Sequence, residues 1–150
     1  MRKKRVMIVG PAKSGKTTLA DLFNDTKTPS KRTPNLVYKE HTIDVPAGYL
    51  ECPWMHCHII STAQDAFCVL MLLESGCRKE MYPPGFAKAF RVPVIGVITK
   101  SEKEWEREPH CVKQFLRAGI QEPFYTVSLQ EDVSFLLLKQ TVWQEKRGWR

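Results

Sequence analysis

The chain has 150 residues, of which 43% are hydrophobic and 26% are charged, and its formal net charge is +7. This composition excludes intrinsic disorder, and the longest apolar stretch, Ala66 to Leu73, is far shorter than the roughly 20 residues of a membrane helix. We therefore expect no membrane partner, and the excess of Lys and Arg favours polyanionic ligands such as nucleotides, nucleic acid or anionic surfaces.

The first half of the chain predicts three strands and one helix. Arg5 to Gly10 is a short apolar run typical of a buried strand, and Lys16 to Phe23 carries apolar residues at helical spacing. A polar loop is expected over Asp25 to Asn35. Beyond it, Leu36 to Tyr38 and His41 to Asp44 predict a weak pair of strands.

The second half continues the alternation of strands and helices. Further strands are predicted at Ala66 to Leu73, Pro93 to Thr99 and Pro123 to Ser128, and helices at Glu104 to Ala118 and Val133 to Trp143. Such alternation predicts βαβ units. We expect an α/β fold with three layers, α/β/α, around a mainly parallel six-stranded sheet, and one domain over residues 1–150.

One motif connects the first predicted strand to the first predicted helix. Residues 10–17 read Gly-Pro-Ala-Lys-Ser-Gly-Lys-Thr and fit the phosphate-binding pattern G-x-x-x-x-G-K-[ST]. In such a loop the backbone N–H groups face phosphate oxygens, the Lys16 ammonium reaches the β- and γ-phosphates, and the Thr17 hydroxyl binds Mg²⁺. We expect a nucleoside triphosphate ligand and take Lys16 as the catalytic candidate. The predicted phosphate-binding residues are Gly10, Lys13, Ser14, Gly15, Lys16, Thr17 and Thr18.

Three further segments extend the pattern beyond the phosphate-binding loop. They are Ile43 to Glu51 (Ile-Asp-Val-Pro-Ala-Gly-Tyr-Leu-Glu), Pro93 to Lys100 (Pro-Val-Ile-Gly-Val-Ile-Thr-Lys), and Ala118-Gly119 leading to Phe124 to Ser128. With them the chain resembles a Ras-like small GTPase, and more closely the EutP/PduV family of ethanolamine- and propanediol-utilisation proteins. The resemblance spans roughly Lys4 to Leu138 and implies a Ras-like P-loop NTPase fold.

The resemblance implies a set of metal ligands. Thr17, Thr33 and Asp44 would hold Mg²⁺, with Asp44 acting through water. Thr33 lies eleven residues before Asp44, which is the interval of the switch-I threonine in the family. Oxygen ligands of this kind suit a hard cation.

The resemblance also implies where the base of the nucleotide is read. Thr99, Lys100 and Glu102 would lie beside the base, and Ser128 would support it from the loop after the last strand. Glu102 stands where the family has an aspartate, and its extra methylene strains a bidentate contact with guanine. The expected cofactors are therefore Mg²⁺ and either GTP or ATP.

Two substitutions in the segment from Ile43 to Glu51 predict slow chemistry. Ala47 stands where the family has a glycine that contacts the γ-phosphate, and the glycine is displaced to Gly48. Many GTPases have a water-orienting glutamine, but no equivalent stands after Gly48, where Tyr49 follows. Three functions remain open: slow GTP or ATP hydrolysis, ATP-dependent phosphotransfer of the acetate-kinase type, and a nucleotide-dependent scaffold or targeting role without appreciable catalysis.

The cysteines bear on location and on metal binding. Five irregularly spaced cysteines without a secretory leader predict reduced thiols in a cytoplasmic protein. Cys52, His56, Cys57 and His58 lie close together, but their spacing matches no standard zinc pattern, so we expect them to pack a helix. The resemblance adds a location at a bacterial microcompartment, with a shell or enzyme partner. No nucleic-acid-binding module is recognised.

Overall fold

The computed structural model describes residues 4–25, 35–99, 108–128 and 132–148. Within these ranges one sheet contains β1 (Arg5–Val9), β2 (Val37–Tyr38), β3 (Thr42–Asp44), β4 (Ala66–Glu74), β5 (Val94–Thr99) and β6 (Tyr125–Val127). The strand order is β2-β3-β1-β4-β5-β6, and every neighbouring pair is parallel except β2 and β3. The predicted mainly parallel six-stranded sheet is confirmed.

The helices agree with the sequence in part. The described ranges contain α1 (Lys16–Phe23), α2 (Ala47–Glu51), α3 (His56–Thr62), α4 (Glu108–Ala118) and α5 (Asp132–Gly148), with 3₁₀ helices at Pro53–Met55, Ala63–Asp65 and Phe86–Ala89. Helix α5 continues five residues beyond the predicted end at Trp143, because the polar residues that follow are good helix formers. The predicted start of α4 at Glu104 lies outside the described residues.

Both faces of the sheet are covered by helices, which confirms the three-layer arrangement. Side chains alternate between the faces along each strand. Val6, Ile8, Leu70 and Val97 lie in the core that includes α1 and α5, whereas Met7, Val9, Met71 and Ile98 lie in the core that includes α2, α3 and α4. Strand β4 is buried on both faces from Ala66 to Leu73, as expected for a central parallel strand.

The topology gathers several predicted site residues at one edge of the sheet. The phosphate-binding loop follows β1, Asp44 ends β3, Thr99 ends β5 and Ser128 follows β6. Ligands of open parallel sheets bind at this edge, outside the carboxyl ends of the strands. Across the described ranges no helix is both long enough and apolar enough to cross a membrane.

Candidate functional site

The loop between β1 and α1 has an unusual backbone. Gly15 has a φ of 90° and Lys13 a φ of 64°, so both residues adopt the left-handed conformation. Glycine tolerates this region freely, whereas a residue with a side chain gives up roughly 1–2 kcal/mol there. Such strain is concentrated at ligand-binding sites and persists only where surrounding contacts hold it.

Close packing explains the glycine at the start of the loop. A Cβ at Gly10 would lie 2.6 Å from the Ser14 Oγ and 3.1 Å from the Leu72 Cβ of the neighbouring strand β4. Both distances are shorter than ordinary van der Waals contact, and the Ser14 hydroxyl is itself held by a hydrogen bond. Position 10 therefore accepts glycine alone without a shift of the loop or of β4.

The carbonyl oxygen of Pro11 organises the interior of the loop. It accepts hydrogen bonds from the Ser14 Oγ at 2.7 Å, from the Lys16 Nζ at 2.9 Å and from the Ser14 backbone N–H at 3.3 Å. Ser14 is fully buried, so its side chain shapes the loop from inside. The Lys16 ammonium lies back over the loop on an uncharged carbonyl, and a phosphate oxygen would offer it a stronger acceptor.

Thr99 fixes the loop from the side of β5. Its Oγ1 donates a hydrogen bond to the Ser14 carbonyl oxygen at 2.6 Å, and both residues are fully buried. The hydroxyl of this predicted base-binding residue is thus engaged with the phosphate-binding loop. Thr33, Lys100 and Glu102 lie outside the described residues, and Ser128 is buried directly after β6.

The start of α1 lies directly after the phosphate-binding loop. The helix begins at Lys16, and its N-cap, Gly15, makes no side-chain capping hydrogen bond. The first N–H groups of an α-helix have no acceptor within the helix, so they attract anions. Thr17 is half-buried at this end and Thr18 is exposed. The loop and the start of the helix form a cradle whose shape and backbone donors suit a phosphate group.

Tyr82 supports the strand ends beneath the loop. Its hydroxyl donates to the Leu72 carbonyl oxygen at 2.7 Å and lies 3.2 Å from the Val9 carbonyl oxygen, and the Gln114 Oε1 accepts the Tyr82 N–H at 2.9 Å. Burial raises the pKa of the Tyr82 phenol well above its usual value, so the group stays neutral. Sequence reasoning missed this residue because it lies in a loop and belongs to no motif.

A cluster of charged side chains surrounds the predicted metal ligand Asp44. The Lys39 Nζ lies 2.9 Å from the Asp44 Oδ2 and 3.4 Å from the Asp21 Oδ1 of helix α1. The Thr42 Oγ1 donates to the Asp44 Oδ1 at 2.7 Å and accepts a hydrogen bond from the Asn24 Nδ2 at 2.9 Å. Lys39 was not predicted, although pairing of β2 with β3 brings residue 37 opposite residue 44 and indicates its position.

The donor set at this edge fits Mg²⁺ chemically. Thr17 is the second residue of α1. The Asp44 carboxylate lies on the face of the sheet that α1 covers, because it shares the Lys39 ammonium with Asp21 of α1. Hydroxyl and carboxylate oxygens are ligands that Mg²⁺ accepts beside phosphate oxygens. The carboxylate already contacts a cationic side chain, however.

The segment after Asp44 forms the short helix α2. Ala47 is its first residue and follows Pro46. Gly48 is exposed, and a methyl group added there would meet no atom within 4 Å, so its surroundings do not require glycine. Tyr49 packs against the apolar core. The side chain that follows Gly48 is thus used for packing.

Of the Cys and His residues near α3, His56 has packing contacts, whereas the expectation of helix packing is wrong for Cys57 and His58. The His56 Nε2 lies 2.7 Å from the Leu50 carbonyl oxygen, and its ring centroid is 5.0 Å from that of Phe86. Cys57 and His58 are exposed. In the parts of the chain that the structure covers, no three His, Cys, Asp or Glu side chains are grouped so as to bind a metal ion.

Sequence comparison relates the chain to proteins of two catabolic systems. The family model PduV-EutP, described as ethanolamine utilisation - propanediol utilisation, matches residues 3–142. The chain is similar to the propanediol utilization protein PduV of Citrobacter freundii, with 30% identity over 139 residues that cover 90% of this chain and 93% of that protein. It is also similar to the probable acetate kinase EutP of Escherichia coli (strain K12), with 27% identity over 154 positions that cover 95% and 96% of the two chains.

Structural comparison identifies the fold. The chain is similar to the translation elongation factor SelB of Methanococcus maripaludis, with a TM-score of 0.68 and 17% identity, covering 100% of this chain and 35% of that longer one. It is also similar to a probable GTP-binding protein engB, with a TM-score of 0.67 and 17% identity over 96% of this chain and 99% of that one. The domain has the fold of P-loop GTPases, as the sequence predicts.

Proposed function

We propose that this chain, which belongs to the PduV-EutP family of ethanolamine- and propanediol-utilisation proteins, binds a nucleoside triphosphate and hydrolyses it slowly. The observation that carries the proposal is the built phosphate cradle after β1. Gly10 leaves room for the Ser14 side chain, the Pro11 carbonyl orders the loop, and Thr99 holds it from β5. A cradle with these internal bonds is preorganised, so binding requires little ordering.

The roles of the side chains follow from their positions. The Lys16 ammonium would move from the Pro11 carbonyl to the β- and γ-phosphates, and the N–H groups at the start of α1 would bind the same anion. Thr17 and Asp44, with Thr33, would hold Mg²⁺, which supplies the charge that neutralises the phosphate oxygens.

Slow turnover follows from the segment after Asp44. Tyr49 packs in the core, and Ala47 replaces the glycine that the resemblance leads us to expect beside the γ-phosphate. Ras keeps its water-orienting glutamine and, without a supplied arginine, turns over at about 10⁻⁴ s⁻¹, so an enzyme that also lacks this side chain should be at least as slow. We propose GTP as the preferred nucleotide because the similar folds belong to GTP-binding proteins, and ATP as the alternative because Glu102 replaces the guanine-reading aspartate.

A second candidate is phosphotransfer to acetate. It is favoured by the similarity to proteins named probable acetate kinase EutP. In that reaction an acetate oxygen replaces water as the nucleophile. A bond forms between this oxygen and the γ-phosphorus, the bond to the β–γ bridging oxygen breaks, and acetyl phosphate and a nucleoside diphosphate are released.

The cellular role is proposed from the family. We propose that the protein acts in the cytoplasm during ethanolamine or propanediol catabolism, at a bacterial microcompartment whose shell or enzymes supply its partner. A search for shell-protein genes beside its gene tests this assignment. Their presence would support it, and a genome without any shell gene would contradict it.

Product analysis separates the candidate reactions. Purified protein is incubated with Mg²⁺ and GTP or ATP, with and without acetate, and inorganic phosphate and acetyl phosphate are measured. We expect slow phosphate release with GTP that acetate does not change and that Lys16→Ala abolishes. Acetyl phosphate formed from ATP would favour phosphotransfer. Tight nucleotide binding without either product would favour a scaffold role and contradict the hydrolase.

A further inference from the structure

Lys39 occupies the space between two carboxylates. Its ammonium nitrogen lies 2.9 Å from an Asp44 oxygen and 3.4 Å from an Asp21 oxygen. The three side chains are only 15–21% exposed. Charged groups that are buried to this extent require a partner of opposite charge. The Lys39 ammonium is therefore the counter-ion of both carboxylates, and the contacts are stronger than those of an exposed ion pair.

Both oxygens of Asp44 are engaged in this arrangement. Oδ2 contacts the Lys39 ammonium, and Oδ1 accepts the hydrogen bond of the Thr42 hydroxyl. Thr42 is itself held by the Asn24 amide, so Asp44 is fixed from two sides. A water molecule of the Mg²⁺ shell that approached Asp44 would therefore share the carboxylate with Lys39 or displace it.

The position of Lys39 is set by the backbone. The residue directly follows β2, and its N–H donates to the Thr42 carbonyl oxygen at 2.8 Å in the connection to β3. Its own carbonyl accepts a hydrogen bond from the Arg5 Nε. Hydrogen bonds to β1 and β3 thus fix the backbone of Lys39, from which its side chain reaches the Asp44 carboxylate.

From this geometry we propose that Lys39 is a built-in cation that competes with Mg²⁺ for Asp44 and sets the metal requirement of nucleotide binding. The inference rests on the nucleotide site proposed above. With Lys39 present, the cluster of Asp21, Asp44 and Lys39 has a formal charge of −1, and without it the charge is −2. A divalent cation is therefore attracted more weakly in the natural protein than in one that lacks the ammonium.

The test is a magnesium titration of nucleotide affinity. A fluorescent guanine nucleotide is titrated against wild type, Lys39→Met and Lys39→Arg from EDTA to 10 mM Mg²⁺. We expect the half-maximal effect of Mg²⁺ on nucleotide affinity to occur at a roughly three- to tenfold lower Mg²⁺ concentration in Lys39→Met. This shift corresponds to about 1 kcal/mol for the interaction of the ammonium with the carboxylate. Lys39→Arg keeps the charge and should remain within about twofold of wild type.

A control variant separates local competition from net charge. Lys88→Met removes the same charge from an exposed position in the 3₁₀ helix on the other face of the sheet and should leave the metal dependence unchanged. Asp21→Asn removes one negative charge from the cluster and keeps the contact of Lys39 with Asp44, so it should raise the Mg²⁺ requirement. An unchanged midpoint in Lys39→Met, or an equal shift in Lys88→Met, would overturn the proposal. If Lys39→Met does not fold, an unchanged midpoint of the Mg²⁺ titration in Asp21→Asn would overturn the proposal.

A nucleotide-free measurement keeps this proposal distinct from the proposed function. Mn²⁺ binding to the free protein is followed by its electron paramagnetic resonance signal. We expect Lys39→Met to bind Mn²⁺ several-fold more tightly than wild type. Equal Mn²⁺ affinity of the two proteins would refute the role of Lys39, whereas failure of the wild type to bind any nucleotide would refute the nucleotide site.

Discussion

The hydrogen bond between Thr99 and Ser14 joins two segments that are 85 residues apart in sequence. It satisfies a buried carbonyl of the phosphate-binding loop with a hydroxyl from the end of β5. In this way the segment expected to read the base also determines the position of the segment expected to hold the phosphates. One threonine thereby couples the two halves of the proposed site.

Thr99→Val tests the contribution of this hydrogen bond between Thr99 and Ser14. Valine keeps the shape but removes the donor, so the Ser14 carbonyl loses its buried partner. Such a loss costs about 1–3 kcal/mol of unfolding free energy. We expect a loss of that size in urea unfolding, together with weaker nucleotide binding, while Thr99→Ser retains both properties more closely. Equal stability of wild type and Thr99→Val would contradict the assignment.

The phosphate-binding loop is an element whose path depends on one glycine. Gly10→Ala would place a Cβ 2.6 Å from the Ser14 Oγ, so Ser14 must give up its hydrogen bond to Pro11 or the loop must shift. We expect destabilisation by about 1–3 kcal/mol, as for other overpacked sites, and a loss of nucleotide affinity of at least about tenfold.

Gly48→Ala is the matched control for that variant. The added methyl group meets no atom within 4 Å, and the residue lies inside α2, where alanine is favoured over glycine by about 0.5–1 kcal/mol. We expect equal or higher stability and unchanged nucleotide affinity. A loss of affinity in Gly48→Ala would instead show that this glycine replaces the one missing at position 47.

Local patterns predicted the elements that carry the cradle. The motif at residues 10–17 is contiguous, and the strand before it and the helix after it are both confirmed. Helices α2 and α3 were not placed by periodicity because each is short and Pro53 interrupts the apolar spacing between them. The extension of α5 beyond Trp143 was missed because the helix was predicted from the spacing of its apolar residues, and the residues after Trp143 are polar.

Contacts between distant segments could not be predicted. Tyr82 contacts the carbonyl of Val9, 73 residues earlier, and nothing in the surrounding Pro-rich sequence indicates that partner. The contact between Lys39 and Asp44 is local by comparison, because the two residues are close in sequence. The register of β2 and β3 places Lys39 on the same face of the sheet as Asp44. The roles given to all the predicted site residues remain predictions, and Thr33, Lys100 and Glu102 also lie outside the described residues.

At the scale of the whole molecule, buried ionisable groups link stability to alkaline pH. Burial raises the pKa values of both the Tyr82 phenol and the Cys68 thiol, which lie in the cores on opposite faces of the sheet. A raised pKa in the folded state means that the unfolded chain releases its protons first. The stabilisation is therefore complete at neutral pH and declines as pH rises past the pKa values of the unfolded chain.

Urea unfolding at several pH values measures this decline. Each such group lowers the unfolding free energy by up to about 1.4 kcal/mol per pH unit, the tyrosine contribution beginning above pH 10 or so. Tyr82→Phe should be less stable than wild type at pH 7, because the phenol hydrogen bond is lost. Its decline above pH 10 should be shallower, and identical slopes for the two proteins would contradict the role given to burial.

Nucleotide binding at the proposed site is the central claim. Isothermal titration calorimetry of wild type and Lys16→Ala with GTP in the presence of Mg²⁺ tests it most directly. The Lys16 ammonium donates to the Pro11 carbonyl oxygen, and truncation of this half-buried side chain removes one positive charge from the cradle. We predict that wild type binds the nucleotide and that Lys16→Ala binds at least about tenfold more weakly, a difference of about 1.4 kcal/mol. Absence of binding by wild type, or equal affinity of the two proteins, would contradict the account.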